Sequence, residues 1–230
     1  MINFLHWDTD FFKRKIGRVD VLNKLNLKEF YNEAKYYDLV YVFAENPLDF
    51  NANLVDVKLT YVKRTLHENI NFAINHKIER FDSQKHNYRK LLELVYLSGH
   101  ESRFFKDPFF GENNFKKLYE TWINKNINEI KNDVLIYNID DRIAGFVSFS
   151  NTQKKASIEL IAVDPVYQGL GLGIKLMKAV ENLLPKNFVL TVPTQESNKK
   201  ACKFYLKYGF KLHDKKYVYH FVDDKNTAFK

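Results

Sequence analysis

Three of the eight glycines in this 230-residue chain fall within one short run, Gln168-Gly169-Leu170-Gly171-Leu172-Gly173. The run lies between an apolar stretch, Ser157 to Val163, and an amphipathic one, Ile174 to Leu184, which Pro185 stops. Glycine lets a backbone turn tightly and approach a ligand without a Cβ in the way, and successive N–H groups opening onto a helix N-terminus attract anions. A strand, a glycine turn and a helix in that order predict a cradle for phosphate or pyrophosphate. Two better-known cradles do not fit. A dinucleotide-binding turn follows an early strand of a parallel unit and needs an acidic residue about 20 positions on, where this chain has Pro185-Lys186-Asn187. A nucleotide-triphosphate loop would close on Gly-Lys-Ser/Thr, which is absent. The plain alternative is a tight turn packed without any ligand.

The surrounding periodicity sets the architecture. Val134 to Asn138, Ile143 to Ser150 and Ser157 to Val163 alternate as strands, separated by polar turns at Asp140-Asp141 and Thr152 to Lys154, and predict an antiparallel meander. After the turn come the helix, a strand at Phe188 to Val192, a loop Pro193 to Asn198, a helix Lys199 to Tyr208 closed by Gly209, and strands near Phe210 to His213 and Tyr217 to Val222. Ahead of the meander, Leu91, Leu92, Val95 and Tyr96 recur at helical spacing up to Gly99. An aromatic loop Ser102 to Phe110 follows, then a helix from about Asn113 to Ile127. The first 75 residues predict a helix, Leu27 to Tyr37, and short strands at Asp38 to Ala44 and Leu54 to Val62. The polar stretch Asn75 to Gln84 is the expected boundary, dividing an N-terminal α/β domain (1–80) from a second domain (81–230).

Composition narrows the partners. With 36 Lys+Arg against 28 Asp+Glu the formal charge is +8, which favours an anionic ligand. The lysines form no long basic run and the aromatics no stacking platform, so no nucleic-acid partner is expected. A single cysteine, Cys202, and no His/Cys cluster at zinc spacing point to a reducing, cytoplasmic setting without a bound metal. No stretch reaches the roughly 18 apolar residues of a membrane span. A homodimer is the commonest association for such a chain, with sheet edges to serve it.

The residues from Ile158 to Pro165, then Tyr167-Gln168-Gly169 through Gly173, resemble the acyl-CoA-binding motif of the GCN5-related N-acetyltransferases (GNAT), Gln/Arg-x-x-Gly-x-Gly/Ala. The similarity continues through Asn198, Tyr205 and Tyr208-Gly209-Phe210 and covers about residues 88–222. It implies an α+β fold with a mixed, mostly antiparallel central sheet and flanking helices, here behind the smaller N-terminal unit. It also implies acetyl-CoA as co-substrate. Ala162 and Val163 would touch its pantetheine arm, Gln168, Gly169, Leu170, Gly171, Leu172 and Gly173 its pyrophosphate, Asn198 would bond pantetheine or cap a helix, and Tyr205 would protonate the departing thiolate.

A narrower resemblance is to the TDP-fucosamine acetyltransferases. It rests on Trp7-Asp8-Thr9-Asp10-Phe11-Phe12, on Ser102-Arg103-Phe104 with Trp122-Ile123, on Val192-Pro193-Thr194-Gln195-Glu196-Ser197-Asn198, and on Tyr205 seven residues later. The longer N-terminal half and Pro193 depart from that group. The implied acceptor is the 4-amino group of a nucleotide-linked 4-amino-4,6-dideoxy sugar. A UDP-linked amino sugar, a protein N-terminus or a small amine is the alternative, and an acyl-CoA sensor the non-enzymatic one. Arg103 and Phe104 are the candidate acceptor contacts, because an Arg fork suits a diphosphate and aromatic faces suit a base or a deoxysugar methyl. Trp7, Phe11 and Phe12 would line the sugar site or anchor the N-terminal unit. Lys199, Lys200, Lys203 and Lys207 could meet the CoA 3′-phosphate or form a solvated face. The proton acceptor stays open among Glu159, His100, Glu101 and water, and Cys202 has no evident partner base.

Overall fold

A computed structural model describes residues 1–65, 77–152 and 155–223. Residues 75–76 of the expected boundary and 153–154 of the expected second meander turn lie outside the described residues. The N-terminal part runs β1 (Asn3–Phe4), α1 (His6–Phe12), β2 (Ile16–Val21), α2 (Leu27–Ala34), β3 (Leu39–Ala44), β4 (Asn53–Arg64) and β5 (Ile78–Arg80). Three helices follow, α3 (Tyr88–Ser98), α4 (Arg103–Lys106) and α5 (Gly111–Asn128). The meander is β6 (Asn132–Ile139), β7 (Arg142–Asn151) and β8 (Lys155–Val163), and the chain ends in α6 (Leu172–Leu183), β9 (Val189–Gln195), α7 (Lys199–Lys207) and β10 (Lys211–Phe221).

The described strands form one ten-stranded sheet in the order β1-β2-β3-β10-β4-β9-β8-β7-β6-β5. Most neighbours are antiparallel, and β2 with β3 and β8 with β9 are parallel. This is the expected mixed α+β arrangement, with a β-α-β extension ahead of it. Strands from both sides of the expected boundary share the sheet, since β4 lies between β10 and β9 and pairs with both. The outermost strands are β1, with two residues, and β5, with three, so the sheet edges offer few pairing groups.

Alternation along the strands divides the core. In β3, Leu39, Tyr41 and Phe43 face one layer, where Phe12 and the apolar stripes of α3 and α5 (Leu91, Leu94 and Val95; Phe115, Leu118 and Ile123) pack. Val40, Val42 and Ala44 point the other way, against Phe30 and Ala34 of α2. Further along the sheet, Leu176, Met177 and Val180 of α6 and Tyr205 of α7 cover Leu59, Tyr61, Val147 and Phe149. Each fully buried side chain of this size stabilises the fold by roughly 1.5–3 kcal/mol before ordering entropy is counted.

Candidate active site

The parallel pairing of β8 with β9 covers only Lys155–Ser157 against Val189–Thr191. Beyond it, β8 stays laddered to β7 as far as Gly145 opposite Val163, while β9 stays laddered to β4 as far as Lys58 opposite Gln195. The two strands are thus drawn apart by their outer neighbours, and Pro193, which has no N–H to offer, stands on the departing stretch. The gap opens into a cleft of about 1300 Å³, with Ile158 to Val163 on one wall and Val192 to Gln195 on the other. At its end the Asp164 N–H donates to Ala144 O (2.9 Å). Main-chain groups alternate in direction along a strand, so those of Val163 face the gap, whereas those of Ala162 face β7. The Gln168 side chain confirms that direction by donating through Nε2 to Val163 O at 3.1 Å.

The glycine turn closes this end. Asp164 accepts the Val166 N–H (3.0 Å) and pairs with Lys90 Nζ of α3 (2.7 Å), pinning the exit of β8. Gly169 and Gly171 have φ of +83° and +74°, and nothing stands within 4 Å of where a Cβ would project at either. Both the handedness and the open space are therefore those of a backbone presented to a ligand. Gly171 is the residue before α6, so the turn's N–H groups gather at the positive end of a 12-residue helix. Gln168, Gly169, Gly171, Leu172 and Gly173 line the cleft; Leu170 does not and is 60% exposed. Gly173 meets a different need, because a Cβ there would press to 3.3 Å on the Phe204 ring where α6 passes α7.

On the opposite wall Asn198 caps α7, accepting the Ala201 N–H at 3.1 Å, and still lines the cleft. Tyr205 also lines it, held among Tyr61, Phe204 and Phe210, and burial pushes its hydroxyl well above the usual tyrosine range. Lys200 and Lys207 reach the same cleft. Cys202 is buried, with Sγ donating to Gln195 O at 3.5 Å.

The far end of the cleft is built by other elements: Trp7 and Asp8 of α1, Asp56 and Lys58 of β4, Arg103 and Phe104 of α4, and Tyr119 and Trp122 of α5. The Arg103 guanidinium lies over the rings of Phe104 (4.4 Å) and Tyr41 (4.7 Å), and its buried Nε has no hydrogen-bond partner. Its charge faces the carboxylates of Asp56 and Asp8. Burial raises the Asp8 carboxyl, and it carries Asp56 up to about 6 against the lowering pull of Arg103, Lys58 and Lys106. Trp7 is half exposed and stacks on Phe11 at 4.8 Å. The expected aromatic loop is in part helical: Phe104 and Phe110 pack with Phe12, while Phe105 stacks on His100 at 4.7 Å.

The structure brings the expected cofactor, acceptor and catalytic residues except Leu170 to this one cleft, together with His100, Glu101 and Glu159, whereas of the further candidates Phe11, Lys199 and Lys203 do not line it. Glu101 is engaged by Lys106 and by the Ser197 hydroxyl, which hold it below the usual carboxylate range. Glu159 accepts from Ser150 Oγ at 2.6 Å. Asp8, Asp56, Lys58 and Tyr119 were not singled out by sequence. The one signal for the β4 pair is the alternation Val55-Asp56-Val57-Lys58-Leu59, which by itself describes any strand with one wet face. Among the described residues no cluster of three metal-binding side chains occurs, and no helix is long and apolar enough to cross a membrane.

Comparison with known proteins gives the same reading. Residues 106–223, just over half of the chain, match the acetyltransferase (GNAT) domain family. A curated relative, the spore coat polysaccharide biosynthesis protein SpsD of Bacillus subtilis (strain 168), is 24% identical over 142 residues, 60% of this chain and 48% of that protein. The chain thus spans about half the length of the curated relative it matches. Among solved structures, a conserved protein of unknown function from Staphylococcus epidermidis ATCC 12228 superposes with a TM-score of 0.72 at 15% identity, covering 95% of this chain and 89% of that one. A protein from Novosphingobium aromaticivorans DSM 12444 assigned to the GNAT family gives 0.52 at 14% identity, covering 80% and 73%.

Proposed function

The chain belongs to the GNAT acetyltransferase family, with acetyl-CoA as co-substrate, and from that premise we propose that it acetylates the 4-amino group of a nucleotide-linked 4-amino-4,6-dideoxy sugar, with TDP as the nucleotide. The observation that carries the acceptor is the far end of the cleft. There Arg103 and Lys58 offer positive charge to a diphosphate, Trp7 on Phe11 offers a stacking face to a base, and Phe104 and Trp122 offer apolar faces to a deoxysugar. A formal charge of +8 suits two anionic ligands. The part of the SpsD protein in polysaccharide biosynthesis supports a glycan precursor as acceptor.

Acetyl-CoA supplies the activated acetyl thioester. The residues present fit it: the open glycine turn at the start of α6 would hold the pyrophosphate, the cleft-facing main chain of Val163 the pantetheine arm, and Asn198 the arm's far side. Two anchored ligands convert a bimolecular reaction into a local one, and the Val163 N–H would meet negative charge developing on the acetyl oxygen. Tyr205 is protonated at neutral pH as any tyrosine is, with burial raising its hydroxyl further, and is the proton donor to sulfur.

The test is thiol release from acetyl-CoA with TDP- and UDP-linked amino sugars, a peptide N-terminus and simple polyamines. Saturable release with a TDP-linked 4-amino sugar is the expected result. Release only with peptides or polyamines would keep the acetyl transfer and remove the sugar, and binding of acetyl-CoA without release to any amine would leave a sensor.

A further inference from the structure

The far end of the cleft holds a carboxylate with no part in the chemistry above. Asp56 stands on β4 two residues before Lys58, where the ladder to β9 ends, and the Glu196 N–H extends that ladder to Val57 O at 2.8 Å. Ser197 and the α7 cap Asn198 come next in the chain. β4 therefore delivers Asp56 to the side of the cleft where the cofactor wall passes into the acceptor pocket. Across β10 its partner is the apolar Val218. The charged and titratable groups around it are Lys58 on its own strand, Arg103 and Lys106 of α4, and Tyr119 of α5. None of the cations forms an ion pair with it within 4 Å among the described residues. Of the other candidate bases in the cleft, Glu101 is engaged by Lys106 and Ser197, Glu159 accepts from Ser150, Asp8 faces Arg103 and the Tyr41 hydroxyl, and His100 stacks on Phe105.

We propose that Asp56 is the catalytic base that takes a proton from the acceptor ammonium, an inference that rests on the acetyl-transfer reading. The ammonium gives one proton to an Asp56 carboxylate oxygen and keeps the electron pair on nitrogen. That pair forms the C–N bond to the acetyl carbon. The C–S bond breaks with its pair on sulfur, which takes the Tyr205 hydroxyl proton. The second proton on the new amide nitrogen passes to the Tyr205 oxygen and Asp56 sheds its own to water, so both side chains end as they began. A carboxyl raised to about 6 is still ionised at neutral pH, and is a stronger base than an ordinary aspartate.

Wild type, Asp56→Asn and Asp56→Glu are compared by thiol release across roughly pH 5 to 9, with the acceptor panel described above. On whichever amine wild type turns over, kcat/KM of Asp56→Asn is expected to fall about 10²–10³-fold and to lose the acidic limb near 6, keeping only the limb set by the amine's own ionisation. Asp56→Glu is expected to keep the limb and part of the rate, and both variants to bind acetyl-CoA as wild type does. Equal rates for Asp56→Asn and wild type, with the limb intact, would overturn the proposal. Turnover of a peptide or polyamine in place of the sugar would sink the sugar reading, and the variant ratio on that amine would still judge Asp56. If no amine is turned over, the acetyl-transfer reading fails and the proposal falls with it, an outcome distinct from turnover that is indifferent to Asp56→Asn.

Discussion

Tyr205 is the residue whose replacement separates chemistry from binding. Its ring is wedged among Tyr61, Phe204 and Phe210, and phenylalanine keeps that packing while removing only the proton. Tyr205→Phe should lower kcat by about 10²-fold or more and leave the acetyl-CoA Kd and the urea midpoint near wild type, as thiol release, calorimetry and denaturation would show. Asp56 offers a test in stability. Its folded carboxyl, at about 6, lies above the ordinary aspartate value, so between these values the native state binds more protons than the unfolded one. Stability is therefore lost as pH rises through that window and stays reduced above it. Asn imitates the protonated form, so Asp56→Asn should be more stable than wild type at about pH 8 and no more stable at about pH 4, measured by urea denaturation. The Tyr205 position was legible in the sequence because it follows Asn198 at fixed spacing on a helix. Asp56 was not, because only the assembled fold shows that α4 and α5 roof the polar face of β4.

The glycine turn and the end of α3 show how one residue type serves two elements differently. At Gly171 alanine would have to adopt φ +74° with nothing to clash against, at a cost of about 1–2 kcal/mol. Because that backbone faces the proposed pyrophosphate, Gly171→Ala should also weaken acetyl-CoA binding by calorimetry. Gly99 ends α3 at an ordinary φ of −95°, yet a Cβ there would stand 2.4 Å from the Tyr119 ring. Gly99→Ala should lower stability in urea by about 1–3 kcal/mol through overpacking, with acetyl-CoA affinity unchanged. The long elements were readable from periodicity: α3, α5, α6 and α7 carry apolar stripes, and β6, β7 and β8 alternate between polar turns. The short ones were not. α1 spans seven residues without a side-chain N-cap bond, α4 spans four, and β2 is interrupted by Gly17, Arg18 and Asp20, so their conformations come from packing rather than local preference. Two separate strands were expected, near Phe210 to His213 and Tyr217 to Val222. Instead β10 is continuous, and a register shift between Leu212 and Asp214 absorbs the irregularity.

Across the whole molecule the acceptor end of the cleft draws most of its charged groups from an earlier stretch of chain, with Tyr119 and Trp122 of α5 added from the later one. The glycine turn, Val163, Asn198 and Tyr205 lie within residues 106–223, whereas Trp7, Asp8, Asp56, Lys58 and Arg103 all precede them. Strand order was the least legible feature of all, because nothing local in Asn53–Arg64 says that it will be inserted between β10 and β9. The insertion ties the halves together. β4 pairs with β9 from Lys58 to Arg64 and with β10 from Asn53 to Val62, and its Leu59 and Tyr61 are buried beside Tyr205. A chain beginning at residue 81 would expose both flanking strands and leave their backbone groups without partners on that side. It would also empty the space that two large side chains fill, and a single such vacancy costs roughly 2–5 kcal/mol, a large share of the net stability of a typical domain. The full chain should therefore unfold in urea in a single transition monitored by both circular dichroism and tryptophan fluorescence, while residues 81–230 alone should show no cooperative transition and should bind a hydrophobic dye. Two separate transitions in the full chain, or cooperative unfolding of the fragment, would mean that β4 is an addition to a sheet already stable without it, and that the acceptor end of the cleft can be exchanged without disturbing the end that takes acetyl-CoA.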